Sequence, residues 1–154
     1  MTKRRAGILL SVLLLVAGAA AFFVMARLNR EAREVDKGVV EFKKGNYEAA
    51  VHGLAPYAER GNHTAQLNLG IAHAFGLGVP RDRERACKLI RAAVPDRAET
   101  MYVWIARSFA TGDQVEKNPA EAVAWYRIAA TNGSAEAKSW LQNSRQLDRS
   151  PLKD

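Results

Sequence analysis

The pattern of hydrophobic and polar positions divides the chain into one long apolar stretch and a series of short amphipathic segments. Residues 6–26 contain no charged side chain. Beyond them, apolar residues recur at spacings of three and four, which is typical of helices that bury one face. No segment alternates with a period of two, as a half-buried strand would. The pattern predicts an all-α chain in which one long apolar helix precedes a packed body of helices.

Three polar residues mark the starts of successive helices at a constant interval. Asn46, Asp82 and Asn118 lie 36 residues apart, and each residue type caps helix N-termini. A small residue follows four positions after each of them, at Ala50, Ala86 and Ala122. A fixed period of this size indicates stacked helix-turn-helix units.

Glycines occupy matching places between the helices. Gly76 and Gly78 interrupt the second unit, and Gly112 lies one period after Gly76. Glycine adopts the left-handed backbone that ends a helix at little steric cost. Gly133, followed by Ser134, closes the third unit in the same way.

These positions resemble the Sel1-like repeat family, a relative of the tetratricopeptide repeats. The matching residues include Leu69, Gly70, Gly76, Gly78, Asp82 and Ala86 in the second unit, and Gly112, Ala122, Trp125 and Gly133 in the third. The first unit is shortened in its loop. The resemblance implies an α-solenoid of about three repeats that ends in a C-terminal capping helix. It also implies that the solenoid binds a protein or peptide partner. The motif's Tyr is replaced by His73 and Phe109, and Arg97 and Met101 stand where it has small residues, so we expect altered packing at that junction.

The apolar stretch predicts a single transmembrane signal-anchor over residues 6–28, because about 20 apolar residues span a bilayer as a helix. A basic tail (residues 1–5) precedes it. A charged helical stalk (29–37), the repeat domain (38–147) and a flexible polar tail (148–154) follow. The basic residues Lys3, Arg4 and Arg5 favour a cytoplasmic N-terminus. We therefore expect a single-pass protein of a bacterial inner membrane with its repeat domain in the periplasm.

A cleaved signal peptide is the alternative. Residues 8–16 would form its hydrophobic region, and Ala19-Ala20-Ala21 would supply the cleavage site. Cleavage there would leave Phe22 and Phe23 exposed at the new N-terminus. The repeat domain leaves the cytoplasm in both cases, so the alternatives differ in whether it stays attached to the membrane.

Charge and cysteine content add little. The net charge of the 154 residues is +7, and three of the basic residues lie within the first five positions. The remaining excess is too small to indicate nucleic-acid binding. The single cysteine, Cys87, excludes an intramolecular disulfide, and its repeat equivalent Val123 points to a packing role.

The polar residues do not form a recognisable catalytic or metal-binding motif. His52, His63 and His73 lack the spacing of a zinc site. No nucleophile elbow is present, and Gly76-Leu77-Gly78 follows a helix, where a dinucleotide fingerprint follows a strand. We therefore predict a non-enzyme with no cofactor, metal or small-molecule substrate.

One repeat position suggests a binding surface. Asn68, Trp104 and Trp140 are spaced by 36 residues, and in the related tetratricopeptide folds this position tends towards the concave groove. We expect Asn68, Trp104, Arg107 and Trp140 to form part of a partner groove, since tryptophan is a frequent interface anchor. Trp125 is expected in the core.

The expected function is that of a membrane-anchored adaptor in the bacterial envelope. A second possibility is an accessory subunit of a membrane complex, packed through small residues of the apolar helix at positions 18–21. A third is a cell-wall or carbohydrate-associated factor, although no convergent acid pair supports it.

Overall fold

A computed structural model describes the backbone of residues 2–147 and the side chains of residues 13–144. Seven α-helices and one short 3₁₀ turn are present, and this part of the chain contains no strand. They are α1 (Thr2–Lys43), α2 (Tyr47–Glu59), α3 (His63–Phe75), α4 (Arg83–Ala93), the turn Pro95–Arg97, α5 (Ala98–Thr111), α6 (Pro119–Thr131) and α7 (Ala135–Leu147). The tail predicted over 148–154 and the side chains of the basic N-terminal residues lie outside the described residues.

The helix α1 is a single uninterrupted element. It joins the predicted apolar segment, the charged stalk and the first helix of the first repeat. Its side chains are exposed through most of the apolar half, with Leu13 69% and Phe23 72% accessible, and burial begins at Val35. The part from Leu13 to Lys43 is long and apolar enough to cross a membrane, a test that an N-terminal signal sequence also passes.

The helices pack as consecutive antiparallel pairs. The end of α1 packs on α2, α3 packs on α4, α5 packs on α6, and α7 covers α6. Seven residues separate the helices of the second pair (76–82) and of the third pair (112–118), whereas three (44–46) separate those of the first. The expected shortening of the first loop is therefore confirmed.

Two hydrophobic clusters form the core. The smaller one joins α1, α2 and α3 around Val35, Leu54 and Leu69. The larger one runs from α3 to α7 and contains the largest fully buried side chains, including Trp125 and Tyr102. The helix-start alanines Ala50, Ala86 and Ala122 are all buried, as the period of 36 predicts. These small residues bring neighbouring helices close together.

Close approach is most evident where α3 crosses α4. A Cβ placed on Gly70 would lie 2.7 Å from Cγ1 of Ile90, so only glycine leaves room for the isoleucine. The same relation recurs in the first unit, where a Cβ on Gly38 would lie 2.7 Å from Leu54. Packing of this density explains the Leu69-Gly70 pair in the sequence.

The predicted N-caps are present at two of the three helix starts that the period of 36 marks. The Asp82 carboxylate accepts a hydrogen bond from the amide of Arg85 at 2.9 Å, and the Asn118 side chain accepts one from the amide of Glu121 at 3.1 Å. The prediction for Asn46 is wrong. Its side chain caps no amide; it donates to the Glu41 carboxylate at 2.7 Å. The three-residue loop holds Asn46 beside Glu41, and the hydrogen bond from Nδ2 to that carboxylate directs the side chain towards α1.

The junction between α4 and α5 differs from the other connections. A 3₁₀ turn, Pro95–Arg97, links the two helices, and their mutual contact is sparse compared with that between α2 and α3. Arg97 is exposed and Met101 is half-buried there. The altered packing expected at this junction is confirmed.

Candidate functional site

Side chains of α3, α5 and α7, which include the first helices of the second and third pairs, contact one another on one face of the body. The ring of Phe75 in α3 meets that of Trp104 in α5 edge-on, with centroids 5.4 Å apart. Arg107, one turn further along α5, donates to the Glu136 carboxylate in α7 at 2.6 Å. These contacts place α3, α5 and α7 in sequence along the same face.

A recess of about 470 Å³ opens on this face between α5 and the start of α7. One wall consists of α5 residues, among them Trp104 and Arg107, and the other is the turn and first helical residues from Gly133 to Glu136. Trp104 remains 36% exposed, whereas Trp125 is completely buried. The recess therefore offers a large aromatic surface to the solvent.

The charges at the recess are balanced. The side chains of Arg107 and Glu136 are 58% and 57% exposed, and their hydrogen bond raises the pKa of Arg107. An ion pair as accessible as this one contributes at most about 1 kcal/mol to folding. A binding partner can therefore rearrange it at small cost.

The four predicted binding residues are only partly brought together. Trp104 and Arg107 share the recess, but Asn68 does not line it. The Asn68 side chain donates to the Thr64 carbonyl at 2.8 Å within its own helix. Trp140 is half-buried and stacks on Tyr126 with centroids 4.0 Å apart and an interplanar angle of 17°. Its position favours a packing role at the end of the stack.

Sequence reasoning missed Glu136 as a component of this site. It lies 29 residues after Arg107, a separation unrelated to the period of 36, so the repeat register could not connect the two. Gly133 and Ser134 were expected only as a helix junction. They form that junction, with the Ser134 hydroxyl accepting from the Ala137 amide at 3.2 Å, and they also line the recess.

The titratable residues are dispersed. His52 and His63 are exposed, and His73 is buried in α3. Burial lowers the pKa of His73, and Arg85 lowers it further. Burial raises the pKa of the Cys87 thiol. Within the described side chains, no three His, Cys, Asp or Glu residues are grouped as metal ligands would be.

Comparison with known proteins identifies the repeat. The Sel1 repeat model matches residues 63–94 and 103–134, which contain the α3–α4 and α5–α6 pairs. No curated protein matches the chain.

Two solved structures are similar to it. One is a protective antigen of uropathogenic Escherichia coli strains that displays an SLR fold (24% identity, TM-score 0.42), and the match covers 78% of this chain and 26% of the antigen. The other is a Sel1 repeat protein from Oxalobacter formigenes (30% identity, TM-score 0.39), with 68% of this chain and 43% of that protein covered. The chain therefore spans less than half the length of either.

Proposed function

We infer that this chain, a Sel1-repeat protein, is an adaptor that holds a protein or peptide partner at the Trp104 recess. Sel1-repeat proteins generally mediate protein–protein interactions. The observation that carries the proposal is the 36% exposure of Trp104 at a recess walled by two helices. Exposed tryptophans supported by a rigid surface are frequent interface hot spots.

The surroundings of Trp104 support this assignment. Phe75 holds one edge of the indole, so little side-chain freedom remains to be lost on binding. Arg107 and Glu136 lie at the same recess and can exchange their mutual hydrogen bond for bonds to a peptide. The recess thus combines an apolar anchor with donors and acceptors that fix orientation.

We further propose that the apolar half of α1 anchors the repeat domain to a bacterial inner membrane, with that domain in the periplasm. Leu14, Leu15, Phe22 and Phe23 are all more than 60% exposed, and a lipid bilayer would cover such side chains. Membrane fractionation and N-terminal sequencing of the mature protein test this proposal. A mature N-terminus at or near Phe22 would contradict the proposed anchor and show that the apolar segment is a cleaved signal peptide.

The same exposed helix supports a second candidate, an accessory subunit that packs through α1 in a membrane complex. A Cβ placed on Gly18 would meet no other atom within 4 Å in the described part of the chain, and small residues at this place allow helices to approach in a bilayer. Replacing Gly18 and Ala21 with leucine should release such a complex and leave binding at the Trp104 recess intact.

Crosslinked purification from native membranes, repeated with surface variants, tests the recess. The swap Arg107→Glu with Glu136→Arg keeps an ion pair while reversing its direction, so stability should change by less than about 0.5 kcal/mol. We expect this swap, and Trp104→Ala, to lose the partner captured by the wild type. Tyr57→Ala, which removes a half-buried aromatic ring on α2, is the matched control and should retain it. Partner capture by both recess variants would contradict the proposal.

A further inference from the structure

The stretch of α1 between its apolar half and its packed end carries positive charge on one side. Arg30, Arg33 and Lys37 are spaced by three and four residues, a spacing that places side chains on one side of an α-helix. The helix is uninterrupted here, and all three residues are exposed. We refer to these three residues as the cationic face of α1.

The repeat domain packs against the opposite side of the helix. Val35 and Gly38 are buried there, and Val39 and Phe42 are half-buried beside them. With 3.6 residues per turn, Arg33 lies about 160° around the helix from Val35. The repeat domain therefore does not cover the cationic face.

The acidic residue nearest to this face neutralises only one of its cations. The Glu34 carboxylate bonds to Lys37 at 2.7 Å. Arg30 lies four residues before Glu34, but neither Arg30 nor Arg33 takes part in a salt bridge among the described side chains. Two guanidinium groups thus remain available to an external anion.

The other charges of the stretch lie to the sides of the face. Residues 27–37 contain four basic and three acidic residues, so the distribution of charge matters here more than its sum. Glu31 is half-buried one turn before Val35, on the packed side. Asp36 lies about 60° around the helix from Arg33. Arg27 is one turn before Arg30 and adds positive charge next to the apolar half.

The cationic face continues directly from the apolar half of α1. Phe22 and Ala26 line the same shallow groove along the helix as Arg30 and Arg33. The two arginines lie about 6 Å and 10 Å beyond Ala26 along the helix axis. The headgroup layer extends roughly 5–7 Å outside the hydrocarbon core, and the long arginine side chain can reach along the helix towards it. In the membrane-anchored state proposed above, both guanidinium groups therefore reach lipid phosphates.

We propose that the cationic face of α1 binds the headgroups of anionic phospholipids in the leaflet from which the helix emerges. This inference rests on the proposed membrane anchor. A guanidinium group forms paired hydrogen bonds with phosphate oxygens, and residues three apart on a helix are about 5–6 Å apart at Cβ, so Arg30 and Arg33 can share one phosphate group. A headgroup with net negative charge is preferred because a choline group would cancel the attraction. Lys37 contributes less, since it lies further out and already bonds to Glu34.

Fluorescence quenching beside the face tests the proposal in the full chain, reconstituted in phosphatidylcholine vesicles. Asn29→Cys in a Cys87→Val background, which copies Val123, places one fluorophore in the groove. A small fraction of either phosphatidylglycerol or phosphatidylcholine carries a spin label at the top of one acyl chain. We expect labelled phosphatidylglycerol to quench about two-fold more strongly at about 0.1 M salt, and this preference to disappear at about 1 M, where the Debye length falls to about 3 Å.

Two double variants identify the residues responsible. Arg30→Gln with Arg33→Gln should abolish the preference for phosphatidylglycerol and leave quenching by both lipids equal. Arg97→Gln with Arg127→Gln removes two exposed arginines of the repeat domain, changes the net charge by the same amount, and should keep the preference. Equal quenching by the two lipids before these changes, or a preference that survives the loss of Arg30 and Arg33, would overturn the proposal.

The same measurement separates this inference from the proposed anchor. Quenching by neither lipid would show that α1 does not enter the bilayer, and would refute the anchor and the lipid site together. Equal quenching by both lipids would refute the lipid site alone. If the variant without Arg30 and Arg33 also lost its crosslinked partner, that result would assign the face to an acidic protein.

Discussion

The α3–α4 and α5–α6 pairs have the same backbone conformation but differ in the side chains that pack between their helices. Both have a seven-residue loop that begins with a left-handed glycine, Gly76 (φ 77°) or Gly112 (φ 86°). In both, the amide of the capping residue donates back to the preceding helix at 2.9 Å, from Asp82 to His73 and from Asn118 to Phe109. Main-chain bonds and caps therefore define the repeat, and the side chains between helices are free to vary.

The side-chain difference follows one direction. The α5–α6 pair has Trp125 and Phe109 where the α3–α4 pair has Leu89 and His73. Both aromatic rings are fully buried, whereas Leu89 is only half-buried. The third repeat consequently holds the largest side chains of the core.

The strongest test of this comparison is truncation at the equivalent core positions. Trp125→Ala should lower the free energy of unfolding by about 3–5 kcal/mol, because it empties a fully enclosed site. Leu89→Ala should cost less than about 2 kcal/mol, since part of that side chain already contacts solvent. Urea denaturation followed by circular dichroism measures both. Equal losses of unfolding free energy in the two variants would show that the two helix pairs have equally well-packed cores.

The loops of the second and third repeats should also respond differently to substitution. Gly78 has φ of 68°, and a Cβ there would lie 2.5 Å from the backbone carbon of Tyr47 in the preceding repeat. Gly78→Ala should therefore cost about 1–3 kcal/mol through backbone strain alone, and the contact with α2 adds to this. Gln114, its exposed equivalent in the third repeat, already has a side chain. Gln114→Ala should stay within about 0.5 kcal/mol of the wild type, and a similar loss at both positions would contradict the stacking of this loop on α2.

The smallest expected effect concerns acid stability. Burial, with a contribution from Arg85, lowers the pKa of His73 in the folded chain, although Asp82 and the Pro80 carbonyl act in the opposite direction. Protonation then favours the unfolded state, so the stability is complete above the unfolded value of about 6.5 and declines as the pH falls below it. His73→Phe, which copies Phe109, should reduce the fall in melting temperature between pH 7 and pH 5. An unchanged pH profile in this variant would assign the acid sensitivity to other groups.

The repeat architecture was largely predictable from sequence because its signals are local and recur. The caps Asp82 and Asn118 and the glycines after the helices fixed the element boundaries closely. Asn46 is not a cap because the shortened loop brings Glu41 near it, and the Asn46 side chain bonds to that carboxylate. An asparagine in sequence predicts a cap only when no other partner lies within reach of its side chain. The sequence alone does not show that competition.

The candidate site was less predictable. The period correctly aligned Asn68, Trp104 and Trp140, but equal register does not require equal surroundings. The neighbours of each residue, Thr64, Phe75 and Tyr126 in turn, decide whether its side chain faces solvent or packs.

The continuity of α1 fixes how far and how freely the repeat domain can move. Packing of this helix begins at Val35, and the apolar half ends near Ala26, so the two residues are nine steps and about 14 Å apart at 1.5 Å per residue. No break lies in that interval to act as a swivel. In the proposed membrane-anchored state, the tilt and rotation of the anchor would therefore determine which side of the repeat domain faces the lipid. Two glycines inserted after Arg30 would uncouple the two motions while leaving every packed residue in place.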